Sequence, residues 1–156
     1  MLKNIMVVED TYTHFKHARQ VIGERAWERP VETLKIAIFQ IRSIADQGDF
    51  LPGEFGVLTD LYFPAEDHRG QVSELAPLGM LVMAECQRLS IPCVIVTAGY
   101  HHGLKYHEVH TALLKMGWPR MVDSSSGSDK EAEEKNWEQG LEVLEKLAEE
   151  IRTGAG

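Results

Sequence analysis

The sequence predicts a doubly wound α/β fold, and two observations carry that prediction. Short apolar runs alternate with amphipathic stretches along almost the whole chain, the pattern of successive βαβ units. Three of the runs also end in groups that suit chemistry better than a core. Asn4-Ile5-Met6-Val7-Val8 leads into Glu9-Asp10, Phe55-Gly56-Val57-Leu58-Thr59 into Asp60, and Pro92-Cys93-Val94-Ile95-Val96 into Thr97-Ala98. Residues just past buried parallel strands gather at the carboxyl edge of an open sheet, where such folds bind ligands.

Element by element, the first strand is expected at Asn4–Val8. A helix over Tyr12–Glu24 follows, with Phe15, Ala18, Val21 and Ile22 on one side. A short second strand is expected near Val31–Leu34, then a helix over Ile36–Gln47 stopped by Gly48-Asp49. The third strand is Gly56–Asp60. Leu61–Pro77 reads as a long polar loop of the kind that carries function. A helix over Leu78–Leu89 and a strand over Cys93–Thr97 come next. The helix expected over Lys105–Met116 is ended by Gly117 and barred from continuing by Pro119. A fifth strand falls at Arg120–Asp123. After the turn Ser124–Gly127, Ser128-Asp129-Lys130-Glu131 reads as a capping box opening a last helix over Asp129–Arg152. Trp137, Leu141, Leu144, Leu147 and Ile151 form its apolar stripe. The five strands are expected in one parallel sheet of order 2-1-3-4-5, as in flavodoxin-like folds.

The length of 156 residues suits a single domain, with no internal repeat or linker and therefore no attached output domain expected. Apolar residues make up 44% and charged residues 26%, and no run approaches the roughly 20 apolar residues a membrane span needs. Met1-Leu2-Lys3-Asn4 runs straight into a strand, so no signal peptide is expected. Cys86 and Cys93 read as small core residues, and a reducing cytoplasm fits them. A net charge of −8 argues against nucleic acid as a partner, because such binding draws on Lys and Arg.

Glu9, Asp10 and Asp60 form the main candidate site. Three acids at one sheet edge repel one another, and a hard dication such as Mg²⁺ relieves that while keeping several waters. It also neutralises charge as a phosphoryl group approaches a nucleophilic carboxylate. Thr97 offers a hydroxyl at the next strand end.

An acidic pair after one strand, an aspartate after another with Pro64 four residues on, and Thr97-Ala98 after a third together resemble the receiver domain of bacterial response regulators. The resemblance spans roughly residues 3–152. It implies a stand-alone signalling domain that accepts a phosphoryl group on Asp60. Asp10 and Asp60 would bind Mg²⁺ directly with the Tyr62 carbonyl, and Glu9 would bind through water. Thr97 would sense the phosphoryl group. It also implies a histidine kinase or phosphotransfer protein as donor, a downstream protein partner, and possible homodimers.

One family feature is missing. Receivers carry a lysine at the end of the fifth strand, and Met121-Val122-Asp123-Ser124-Ser125-Ser126 has none there. Met121 also stands about where an aromatic switch residue is usual. Lys130 and Lys105 are the nearby cations. His101 and His102, in the glycine-flanked loop Gly99–Gly103, are further candidates, because a strand-4 loop should lie over the same edge. His107 and His110 are spaced to share a metal, whereas His14 and His17 read as surface residues. Two other function classes stay open: a small Mg²⁺-dependent phosphotransfer or hydrolytic enzyme with Asp60 as nucleophile, and a non-phosphorylated interaction module.

Overall fold

The computed structural model describes residues 1–66, 72–98, 121–123 and 135–154, together with positions 108, 111, 112 and 115. A parallel four-stranded sheet runs through the middle in the order β1 (Asn4–Val8), β2 (Phe55–Thr59), β5 (Cys93–Thr97), β6 (Met121–Asp123). Helices α1 (Tyr12–Ile22) and α4 (Trp137–Thr153) cover one face, and α2 (Leu34–Gln47) and α3 (Gly79–Arg88) cover the other. Alternation along the strands divides the core accordingly. Met6, Val8, Val57, Cys93 and Ile95 pack with Ile41, Val82 and Cys86 on the α2/α3 side. Ile5, Val7, Leu58, Val94 and Val96 pack with Phe15, Trp137 and Leu144 on the α1/α4 side. Cys86 and Cys93 are free, buried thiols of the first layer. Among the described residues no helix is long and apolar enough to cross a membrane.

The structure departs from the sequence expectations at three places. The second of five strands is reduced to two bridges, Ala26 with Ile5 and Val31 with Val8. The segment still runs alongside β1: Trp27 N–H donates to the Ile5 carbonyl at 3.1 Å and Val31 N–H to the Val7 carbonyl at 2.9 Å. Pro30, lying between the bridges, has no N–H to continue a ladder. The supposed loop Leu61–Pro77 contains a two-stranded antiparallel hairpin, β3 (Phe63–Glu66) with β4 (Val72–Ala76), pairing Phe63 with Ala76. Leu61 and Phe63, both fully buried in the α2/α3 layer, anchor its base. The polar stretch at its middle hid the hairpin in the sequence.

The third departure matters most for function. The last helix begins at Trp137 rather than Asp129. Asn136 caps it, its Oδ1 accepting from Gln139 N–H at 3.1 Å, and Lys135 precedes the cap as irregular chain. The capping box Ser128–Glu131 lies outside the described residues, as does most of the helix expected over Lys105–Met116, where positions 108, 111, 112 and 115 are helical.

The α4 helix comes close to the sheet at Gly140. A Cβ there would sit 2.5 Å from Val96 Cγ2, and Val96 is a fully buried, β-branched strand residue with little freedom to turn away. Gly140→Val should therefore destabilise the protein by about 3 kcal/mol, with the overpacking outweighing any relief of the glycine's own helix penalty. A urea midpoint equal to wild type would show that α4 can lift off β5 at no cost.

Candidate functional site

The sheet register brings Glu9 and Asp60 together. Val8 pairs with Thr59 across β1 and β2, so the next residue of each strand leaves the edge at the same height. Alternation then sends both side chains to the α1/α4 face, in the rows of Val7 and Leu58. Backbone bonds fix both positions: Asp60 N–H donates to the Val8 carbonyl at 2.8 Å and Glu9 N–H to the Val31 carbonyl at 2.9 Å. Glu9 Oε1 accepts from Thr11 N–H at 3.0 Å, which ties the carboxylate to the start of α1. Asp60 Oδ1 accepts from Leu61 N–H at 2.7 Å. The Thr59 hydroxyl donates to the Asp60 carbonyl at 2.9 Å.

A lysine fills the space between them. Lys135 Nζ pairs with Glu9 Oε2 and lies 2.9 Å from Asp60 Oδ2. This is a buried ionic group, the three side chains being 5%, 0% and 9% exposed. Burial pushes the Glu9 carboxyl up to about 7; Asp60 adds to the rise, and the Lys135 charge and hydrogen bond oppose it. Lys135 Nζ also stands 5.8 Å from the centre of the Trp137 ring.

The sequence offers Lys105, Lys130, His101 and His102 for the charge that a fifth-strand lysine would supply; the structure sets Lys135 at this edge. The lysine comes from the lead-in to the last helix, twelve residues past the end of β6, and not from a strand end. Lys105 and Lys130 lie outside the described residues, as do His101, His102, His107 and His110. The sequence reading missed Lys135, although a signal stands beside it. Asn136-Trp137-Glu138-Gln139 places a capping residue three before a glutamine, which marks a helix start and leaves the preceding lysine outside the helix.

With Lys135 displaced, the three carboxylates could hold a hard dication. Glu9, Asp10 and Asp60 each offer an oxygen, and these oxygens all lie within 4.8 Å of one another. Glu9 and Asp60 are buried, and Asp10 is partly exposed. Tyr62 follows just before β3, its ring half-buried and its phenol raised by that burial. Thr97 ends β5 one strand away, fully buried, in the alternation row of Cys93 and Ile95 on the α2/α3 side. His14, expected at the surface, is half-buried with its Nδ1 enclosed and without a hydrogen-bond partner. Burial first, then the Lys135 charge, lowers its pKa, while Asp60 and Asp10 pull the other way. His17 is exposed, as expected.

No known protein family, curated protein or solved structure matches this chain.

Proposed function

We propose that this chain is a receiver-like signalling domain that accepts a phosphoryl group on Asp60 with Mg²⁺ bound beside it. The observation that carries this reading is the Lys135 ammonium set between Glu9 and Asp60 at the carboxyl edge of a parallel sheet. Three acids and one lysine are the charge set that aspartyl phosphorylation needs, and the family resemblance otherwise lacked its lysine. The place of residues 26–31 beside β1 supports the five-position order 2-1-3-4-5, with the second strand worn down to two bridges.

In this reading an oxygen of the Asp60 carboxylate attacks the phosphorus of the donor. The bond from phosphorus to the donor's leaving atom breaks, the imidazole nitrogen of a phosphohistidine or the carboxylate oxygen of acetyl phosphate, and that atom keeps the electron pair. Leu61 N–H holds Asp60 Oδ1, which fixes the carboxylate's orientation before attack. Lys135 offsets charge that accumulates on the phosphoryl oxygens. Asp10 and Asp60, with Glu9 behind them, are the residues that would hold Mg²⁺, which supplies further charge neutralisation when bound. Thr97 ends the neighbouring strand in the row of the opposite face, so a phosphoryl oxygen would have to reach over the sheet edge to meet its hydroxyl. The donor would be a histidine kinase or phosphotransfer protein and the reader a downstream protein, in the cytoplasm.

Incubation with acetyl phosphate and Mg²⁺ should add one phosphoryl group by intact mass, and Asp60→Asn should remove that adduct. Beryllofluoride with Mg²⁺ should raise the melting temperature of wild type and not of Asp60→Asn, by mass action on the folded state. No adduct and no stabilisation would favour the interaction module. One observation already leans that way: Lys135 can neutralise the pocket without any ligand. Steady release of phosphate from esters would favour the enzyme.

A further inference from the structure

We propose that Lys135 couples cation binding in the acidic pocket to the start of α4, so that occupancy of the pocket is transmitted to Trp137 and the α4 cap. This coupling rests on the reading of Glu9, Asp10 and Asp60 as a cation site. It adds a route out of that site which belongs to this chain and runs through the lead-in to a helix.

The Lys135 ammonium holds two carboxylates that the cation site would also use, Glu9 and Asp60. A divalent cation and an ammonium compete for the same buried oxygens, since two positive charges within a few ångströms repel strongly where water is excluded. Lys135 therefore cannot keep both partners unchanged when the pocket is loaded. Asp10, which Lys135 does not pair with among the described residues, is the carboxylate open to an incoming cation.

The other end of the lysine is tied to structure that cannot ignore the change. Asn136, the next residue, caps α4 through Gln139 N–H, and Trp137 N–H donates to the Lys135 carbonyl at 3.0 Å. The Trp137 ring is 2% exposed in the α1/α4 layer and lies within reach of the ammonium. Farther along, Gly140 is held against Val96. On the helical side a shift of Lys135 acts on residues 136–139, ahead of the close helix–strand contact at Gly140. Asn136, Glu138 and Gln139 are exposed there, so the change reaches the surface.

Three backbone and indole N–H groups report on the two ends separately in a ¹H–¹⁵N titration of the full chain with Mg²⁺, starting from EDTA-treated protein. Leu61 N–H, bonded to Asp60 Oδ1, reports occupancy of the pocket. The Trp137 indole and Gln139 N–H report the start of α4. The expected result is a saturable shift of all three with one common midpoint. In Lys135→Met the Leu61 signal should still respond, with a midpoint roughly tenfold lower because the competing charge is gone. The Trp137 and Gln139 shifts should be lost. Lys135→Arg, which keeps the charge, should retain them.

A wild-type response at Leu61 with Trp137 and Gln139 unmoved would overturn the coupling and leave the cation site standing. Retention of the Trp137 and Gln139 shifts in Lys135→Met would overturn it equally. A wild-type chain in which none of the three responds would overturn the coupling and the cation site together. That wild-type titration decides the matter even where Lys135→Met fails to fold.

Discussion

Lys135→Met should destabilise the metal-free protein by about 3–5 kcal/mol, the cost of stripping one partner from a buried ionic group. The size follows from burial. Glu9 is fully enclosed and Asp60 nearly so, and water cannot replace the ammonium that now offsets them. The loss should also depend on pH. Glu9 is already held at about 7 against an ordinary 4.5, with burial as the main cause. The folded chain therefore keeps a proton that the unfolded chain releases between those values, and stability falls as pH rises through that window. Removing Lys135 takes away the largest influence opposing the shift, so Glu9 rises further and the window widens upward. The gap between wild type and Lys135→Met should be largest near pH 8 and shrink toward pH 5.5, where Glu9 is protonated in both. Urea unfolding in EDTA at the two pH values reads this directly. Equal midpoints near pH 8 would mean that the ionic group contributes no net stability. A gap that grows on acidification would mean that Glu9 is not the residue responsible.

The parts of this site that are legible in the sequence are those that sheet periodicity dictates. Glu9, Asp10 and Asp60 stand out because each follows an apolar run, and parallel strands of similar length end at one edge. The observed register, Val8 beside Thr59, is that rule at work. Lys135 is hidden because no periodicity relates it to the edge. It reaches the pocket through a long connection after β6 whose return path is a tertiary matter, and only the capping signal at Asn136 marks where the last helix starts. The hairpin β3–β4 is hidden for a different reason. Its strands are short, one contains Pro64, and the pair is held by Phe63 and Leu61 reaching into the α2/α3 layer, not by a pattern of its own. The weak second strand is expected close to where Val31 pairs, but an apolar run near Pro30 does not reveal that pairing stops at isolated bridges.

Gly79→Ala should damage the fold and the site together. Gly79 opens α3 and packs against the turn that carries the proposed nucleophile. A Cβ there would stand 2.2 Å from the Asp60 carbonyl oxygen and 2.9 Å from Leu61 Cα. Neither atom belongs to a side chain that could rotate away. Gly79 N–H also donates to the Leu61 carbonyl at 3.0 Å, so the approach is held by a hydrogen bond that a displaced helix would lose. The glycine is needed here for space and not for an unusual backbone angle, because its φ is not positive. Overpacking against backbone should cost about 3 kcal/mol, near the upper end of what added methyl groups cost in cores. The displaced segment carries Asp60 and the Leu61 N–H that orients it, so the effect should extend beyond stability. In Gly79→Ala, Mg²⁺ should raise the melting temperature less than in wild type, whereas in Ile41→Ala, destabilised by a cavity in the α2/α3 layer, the response should be kept. That contrast separates damage to the site from general loss of stability. A Gly79→Ala protein with the wild-type urea midpoint and the wild-type Mg²⁺ response would show that the Asp60 turn yields freely, and that the nucleophile is not rigidly placed.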